Sequence, residues 1–229
     1  MKPGLLEEIR ELGHWRVNIR PRDPGPKKTL GELAELIRQS AVSIRGWDYP
    51  HYSHRNDDEG GSENHVDYFE NWTDWNGFKE FWRIYKSRQF LSYQVLHEDT
   101  DQWNEGYDQG TALNSVGASY SVFEFVEFAF RLTQTALYPA GVELQVRLGN
   151  AQGRRLYAGR GRIPFFGEKQ THGGQIEVSA TLQRSASQTE ARDLAITMCL
   201  EIFDAFNWNP SRDQLKQDQD KFYQGIFRG

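Results

Sequence analysis

Apolar residues recur along this chain at two periods, near 3.6 and near 2, and the switches between them divide it into elements. Residues 5–12 suit a short helix, after which Trp15, Val17 and Ile19 alternate with Arg16, Asn18 and Arg20 as in a half-buried strand. Pro21, Pro24, Gly25 and Pro26 end that strand. Thr29 and Glu32 form a capping box, and Leu30, Leu33, Leu36 and Ile37 make the stripe of a helix over 30–40. Val42 and Ile44, then Trp47 and Tyr49, read as a strand broken by a bulge at Gly46. The run HRNDDEGGSEN over 54–64 holds no apolar residue and predicts a mobile surface loop, with a strand returning over 66–75. Behind Asp74 or Asn76 as cap, Phe78, Phe81, Trp82 and Tyr85 predict a helix with four rings on one face. A strand over 90–96 and an acidic loop over 97–110 follow.

The longest predicted helix covers 112–137, and its apolar residues, from Val116 to Leu132, surround most of the cylinder, so it should be central and buried. Val142, Leu144, Val146 and Leu148 alternate with polar residues, and with a turn at 150–153 and a return over 154–163 they predict a hairpin. A strand over 175–182 comes next. Ser187 and Glu190 then cap a helix bearing Leu194, Met198, Ile202, Phe203 and Phe206. The last helix, 211–224, has only the thin stripe Leu215, Phe222 and Ile226, so the 211–229 segment either docks loosely or waits for a partner. No repeat or long linker divides the chain. The expected fold is one α+β domain over 1–229, a mainly antiparallel sheet packed with a long central apolar helix and C-terminal helices.

Composition adds that aromatic residues make up 14% of the chain, which supplies large rigid rings to a core or an interface. The single cysteine, Cys199, excludes an intrachain disulfide and a multi-cysteine zinc site, and it falls in an apolar helical run as a core residue does. No stretch approaches the ~18 apolar residues of a membrane span. With a mean hydropathy of -0.75 and no signal-like opening, a cytoplasmic location without membrane contact is expected. The net charge is -5 but unevenly placed: residues 144–167 hold five arginines and no acid.

Three groups carry candidate chemistry. Arg147, Arg154, Arg155, Arg160 and Arg162 share the predicted hairpin and could grip phosphate or a protein partner, with Arg16, Arg20, Arg22, Lys27 and Lys28 as helpers. Trp47, Tyr49 and His51 read as a strand end whose rings pack and whose His51 makes a hydrogen bond, or else as a ligand or partner contact. His51 with His54, His65 and Asp67 has the ligand types of a zinc or iron site, but no diagnostic spacing. Glu124 and Glu127 on the apolar helix could form an acid–base pair, against which an ion pair from Glu127 to Arg131 is the simpler account. Phosphate-loop, dinucleotide, nucleophile-elbow and helix-borne zinc motifs are missing, so neither a catalytic centre nor a cofactor is expected.

The runs 36–51 (LIRQSAVSIRGWDYPH), 78–90 (FKEFWRIYKSRQF) and 191–208, about a fifth of the chain, resemble segments of uncharacterised bacterial proteins, some linked to Schlafen/AlbA-type ATP-binding proteins or antiphage defence genes. The resemblance implies a stand-alone accessory module and assigns no residue a role. The leading expectation is therefore a non-enzymatic bacterial accessory or adaptor protein that binds another protein, as a sensor or scaffold in antiviral defence. A nucleic-acid or nucleotide binder using the 147–162 hairpin and a metal-dependent hydrolase at His51, His54, His65 and Asp67 are its rivals.

Overall fold

A computed structural model describes residues 1–100, 107–159 and 162–226. Seven strands form one antiparallel sheet: β1 (His14–Pro21), β2 (Gly60–Asn64), β3 (Tyr68–Trp75), β4 (Phe78–Tyr85), β5 (Phe90–Val95), β7 (Val142–Gly149) and β9 (Gln175–Leu182), in the order β2-β3-β4-β5-β1-β7-β9. Two short strands, β6 (Ala112–Asn114) and β8 (Arg155–Tyr157), pair in parallel beside it. The central helix α3 (Ser115–Thr133) packs on one face of the sheet with α2 (Leu30–Ser40), α4 (Gln188–Asp204) and α5 (Arg212–Tyr223) around it. On the opposite face the short helix α1 (Leu5–Glu11) covers β4 and β5, burying Leu5 and Ile9 against Phe81, Tyr93 and Val95. The α+β expectation holds. Among the described residues no helix is long and apolar enough to cross a membrane.

Both capping boxes form as expected, with the Thr29 and Ser187 hydroxyls accepting from the backbone N–H groups of Glu32 and Glu190. Because α3 lies between the sheet and three other helices, it can be apolar nearly all round, and Phe123, Phe125 and Phe128 are fully buried. Helix α5 is docked rather than loose: Leu215 and Phe222 reach the core and Gln219 donates to the Arg192 carbonyl, while Ile226 stays partly exposed.

Four expectations are corrected. The aromatic run 78–85 is strand β4 and not a helix, since Asn76 and Gly77 take φ values of 52° and 81° and close a tight hairpin with β3. Residues 42–49 form no bulged strand; a loop closes on itself where Val42 and Tyr49 exchange two backbone hydrogen bonds. The expected 54–64 loop ends in strand β2, tethered beforehand by Ser53 and Asn71, which bond each other twice. Gly61 admits that pairing because the Trp72 ring lies where a Cβ would stand, with atoms at 2.7 Å. The 142–163 hairpin does not exist. Strand β7 instead lies between β1 and β9, where Val142, Leu144, Val146 and Leu148 meet Leu182, Ala180, Val178 and Ile176. The 154–163 run has no such series to offer, and cross-strand apolar pairs decide between partners.

Candidate ligand-binding site

Losing the hairpin disperses the arginines. Arg147 on β7 bonds Glu177 at 2.6 Å, and Arg155 pairs with Glu168 at 3.1 Å. Arg162 binds Asp218 at 2.5 Å. Arg154 is 1% exposed and grips Asp99 through both terminal nitrogens while donating to the carbonyls of Asn150 and Ala112, so it is an internal strut. Arg160 lies outside the described residues. Each described arginine of this set is paired with a carboxylate of the same chain. Arg154 and Arg147 lie apart from the rest, and Arg155 and Arg162 border one open cleft together with Glu168 and Lys169.

The proposed metal ligands also separate. His51 stacks on Trp47 at 3.9 Å, His54 lies against Tyr52, and His65 stacks on Tyr68. Asp67 contributes its backbone carbonyl to the Lys86 N–H. Among the described residues the one trio close enough to share an ion is Glu63, His65 and Glu70, within 4.8 Å. There the Met1 amine, 2.6 Å from Glu70, and the Arg83 guanidinium, 2.7 Å from it, already supply cations. The predicted hydrolase centre is not assembled.

The groups that do converge lie between the sheet and the start of α3. On β4, Phe78, Glu80, Trp82 and Ile84 share parity, and Glu80 is a carboxyl at an inward position. Across the ladder it faces Gln94 of β5, which in turn faces Trp15 of β1. The 45–51 loop folds over this corner. Trp47 is stacked on His51 and on Phe78, at 4.2 Å, and its indole N–H donates to Glu80 at 2.9 Å. Tyr49, from the same expected contact, is instead a core residue: its ring packs on Phe125 and its hydroxyl meets Ser92 at 2.7 Å. Arg45 binds Glu124 of α3 through Nε, at 2.9 Å, and through Nη2. Glu124 is therefore not paired with Glu127, which goes to Arg131 at 3.0 Å as expected and also accepts from Tyr223.

Beside this network is a cavity of about 180 Å³ whose wall includes Trp15, Arg45, Gln94, His97, Glu98 and Ser121, with Gly117 and Ala118 of α3. A 3-10 turn over His97–Asp99 presents His97 and Glu98 to it. The Glu98 carboxylate accepts from the Asn114 backbone N–H at 2.6 Å, and among the described residues it has no ion pair. Among the described residues the buried Gln94 side-chain oxygen has no hydrogen-bond donor.

Electrostatics mark the same corner. Burial pushes the Glu80 carboxyl up to about 8, against the Trp47 hydrogen bond and with help from the Glu124 charge. Burial likewise raises Glu124, offset in part by Arg45, and raises Glu98, offset by the Asn114 N–H. His97 meets solvent on one side, yet the protein packed around it and the Arg45 cation hold its pKa below the ordinary value. A cluster of shifted groups beside a cavity is a mark of a functional site.

Of this site the sequence had signalled only Trp47, His51 and Glu124. Arg45, Gln94, His97 and Glu98 were missed, although Glu80 and Gln94 are polar residues at inward strand positions, a signal that becomes readable once 78–85 is taken as a strand. No protein-family model matches the chain, and no curated protein or solved structure is significantly similar to it.

Proposed function

We propose that this chain is a small-molecule-binding protein, the ligand-responsive accessory member of an assembly rather than a catalyst. The observation that carries the reading is the cavity beside α3, where Arg45, Gln94, His97, Glu98 and Ser121 converge from separate parts of the chain on a space about the size of one aromatic ring with its substituents. Binding finds more support than turnover. Ser121 accepts a hydrogen bond from Arg45 at 3.5 Å instead of donating to a base, and the buried Cys199 thiol is pushed up and away from the reactive thiolate. An accessory role beside a protein partner fits the resemblance of the 36–51 and 78–90 segments, and a sensor in antiviral defence would need such a pocket.

The test is a fragment screen read by NMR on uniformly ¹⁵N-labelled protein. Compounds of about six to nine heavy atoms should shift the Trp15 indole, the Gln94 side-chain amide and the Gly117 backbone together. Gly117 is the place to block the site, because a Cβ there meets nothing nearer than the Asn114 Cβ at 3.4 Å. Gly117→Leu should erase the shifts without loss of cooperative unfolding. A screen that shifts nothing, or shifts that persist in Gly117→Leu, overturns the reading.

A further inference from the structure

The chemistry of the cavity wall selects among ligand classes. An anion finds little to hold it. The first N–H groups of α3, the natural anion site, are taken by the Asn114 side chain, which accepts from Val116 and Gly117 at 3.0 Å. Arg45, the cation in the wall, is already engaged by both oxygens of Glu124. A metal ion is no better served, since Glu80, Glu98 and Glu124 do not bring their oxygens within one coordination sphere. Among the described residues, the acid in the wall without a direct ion pair is Glu98. Glu98 is 7% exposed, lines the cavity and has a backbone hydrogen bond but no ion pair among the described residues. Burial favours the neutral form of this carboxyl, the nearby Arg154 cation opposes that, and a cation entering the cavity would stabilise the ionised form directly. Trp15 lines the same cavity and offers an aromatic ring of the kind that receives organic cations.

Resting on the ligand-binding reading above, we propose that the cavity takes a compact organic monocation, an ammonium or amidinium group on a flat body of about six to nine heavy atoms, with Glu98 as its counter-ion. The positive group bonds Glu98, and the apolar body lies along Trp15 and the small α3 residues Gly117 and Ala118. Gln94 and Ser121 supply polar contacts at the rim of the ring.

The experiment uses three compounds of nearly one shape and three charges, benzamidine, benzamide and benzoate, titrated calorimetrically into the wild-type chain, Glu98→Gln and Gly117→Leu. Glu98→Gln keeps an oxygen to accept from the Asn114 N–H, so the turn is preserved. Benzamidine should bind at least tenfold more tightly than benzamide, and benzoate not at all. Glu98→Gln should remove the preference for benzamidine, and Gly117→Leu should remove all binding. If benzamide or benzoate binds as well as benzamidine, or Glu98→Gln leaves the order unchanged, the cationic class is wrong while the cavity stands as a ligand site. If none binds, or binding survives Gly117→Leu, the ligand-site reading falls together with this one.

Discussion

Glu80 shows how much one inward side chain can carry. At neutral pH its raised pKa keeps it largely protonated, so it can accept from Trp47 and still offer a proton to a neighbour. The Gln94 oxygen across the ladder, buried and without a donor among the described residues, is a group that needs one. Relative to its ordinary value of 4.5, a folded pKa of about 8 means that the native state holds a proton the unfolded chain has released. Its contribution to stability is complete below about pH 4.5 and is lost as pH rises through about 8. Glu80→Gln keeps the shape without the titration. Urea denaturation between pH 5 and 8 should therefore lose a slope of roughly 1.4 kcal/mol per pH unit in the variant, and the variant should be the more stable protein at pH 8. An unchanged slope would show Glu80 to be ionised. Arg154 and Arg155 are adjacent in sequence yet differ in kind. Arg154→Ala strands the buried Asp99 and should cost about 3–5 kcal/mol in chemical denaturation, whereas Arg155→Glu at an exposed site should stay within about 0.5 kcal/mol. Nothing in the string RR separates the two, because what distinguishes them is Asp99, fifty-five residues away.

Among elements, legibility follows where the deciding signal is local. Helices α2 and α4 were readable to the residue at their starts because a capping box is a contact between neighbours three apart. Strand β4 was not, because Phe78, Phe81, Trp82 and Tyr85 satisfy helical spacing while Phe78, Glu80, Trp82 and Ile84 satisfy a strand. Both of its faces are apolar, one set meeting the core under α3 and α2 and Phe81 meeting α1, so periodicity cannot arbitrate. The Asn76–Gly77 turn arbitrates instead. Gly77→Val forces a branched residue into the left-handed region and should cost about 1–2 kcal/mol, read as a lowered midpoint of thermal unfolding. A smaller effect would mean that the β3–β4 ladder holds its register without this turn. Strand β7 was read correctly but its partner was not: its best apolar partners lie in β9, beyond the segment that follows it directly.

At the scale of the whole molecule, fold class was legible and strand order was not, since order depends on pairings between distant segments. The same distance hides the cavity, whose walls come from β1, the 45–51 loop, β5 with its 3-10 turn, β6, α3 and β8. No short motif can report a site assembled this way. The sheet order has one more consequence, for the ribosome. Strand β1 is made early but sits between β5 and β7, so its second edge waits for residues 142–149 to be synthesised. A chain stalled near residue 135 can complete the β2-β3-β4-β5-β1 ladder while β1 still presents eight unpaired positions along one side. Ribosome-bound intermediates of that length offer this edge to a chaperone, and the arrival of β7 covers β1 in a single pairing event and passes the open edge to β7 until β9 is made.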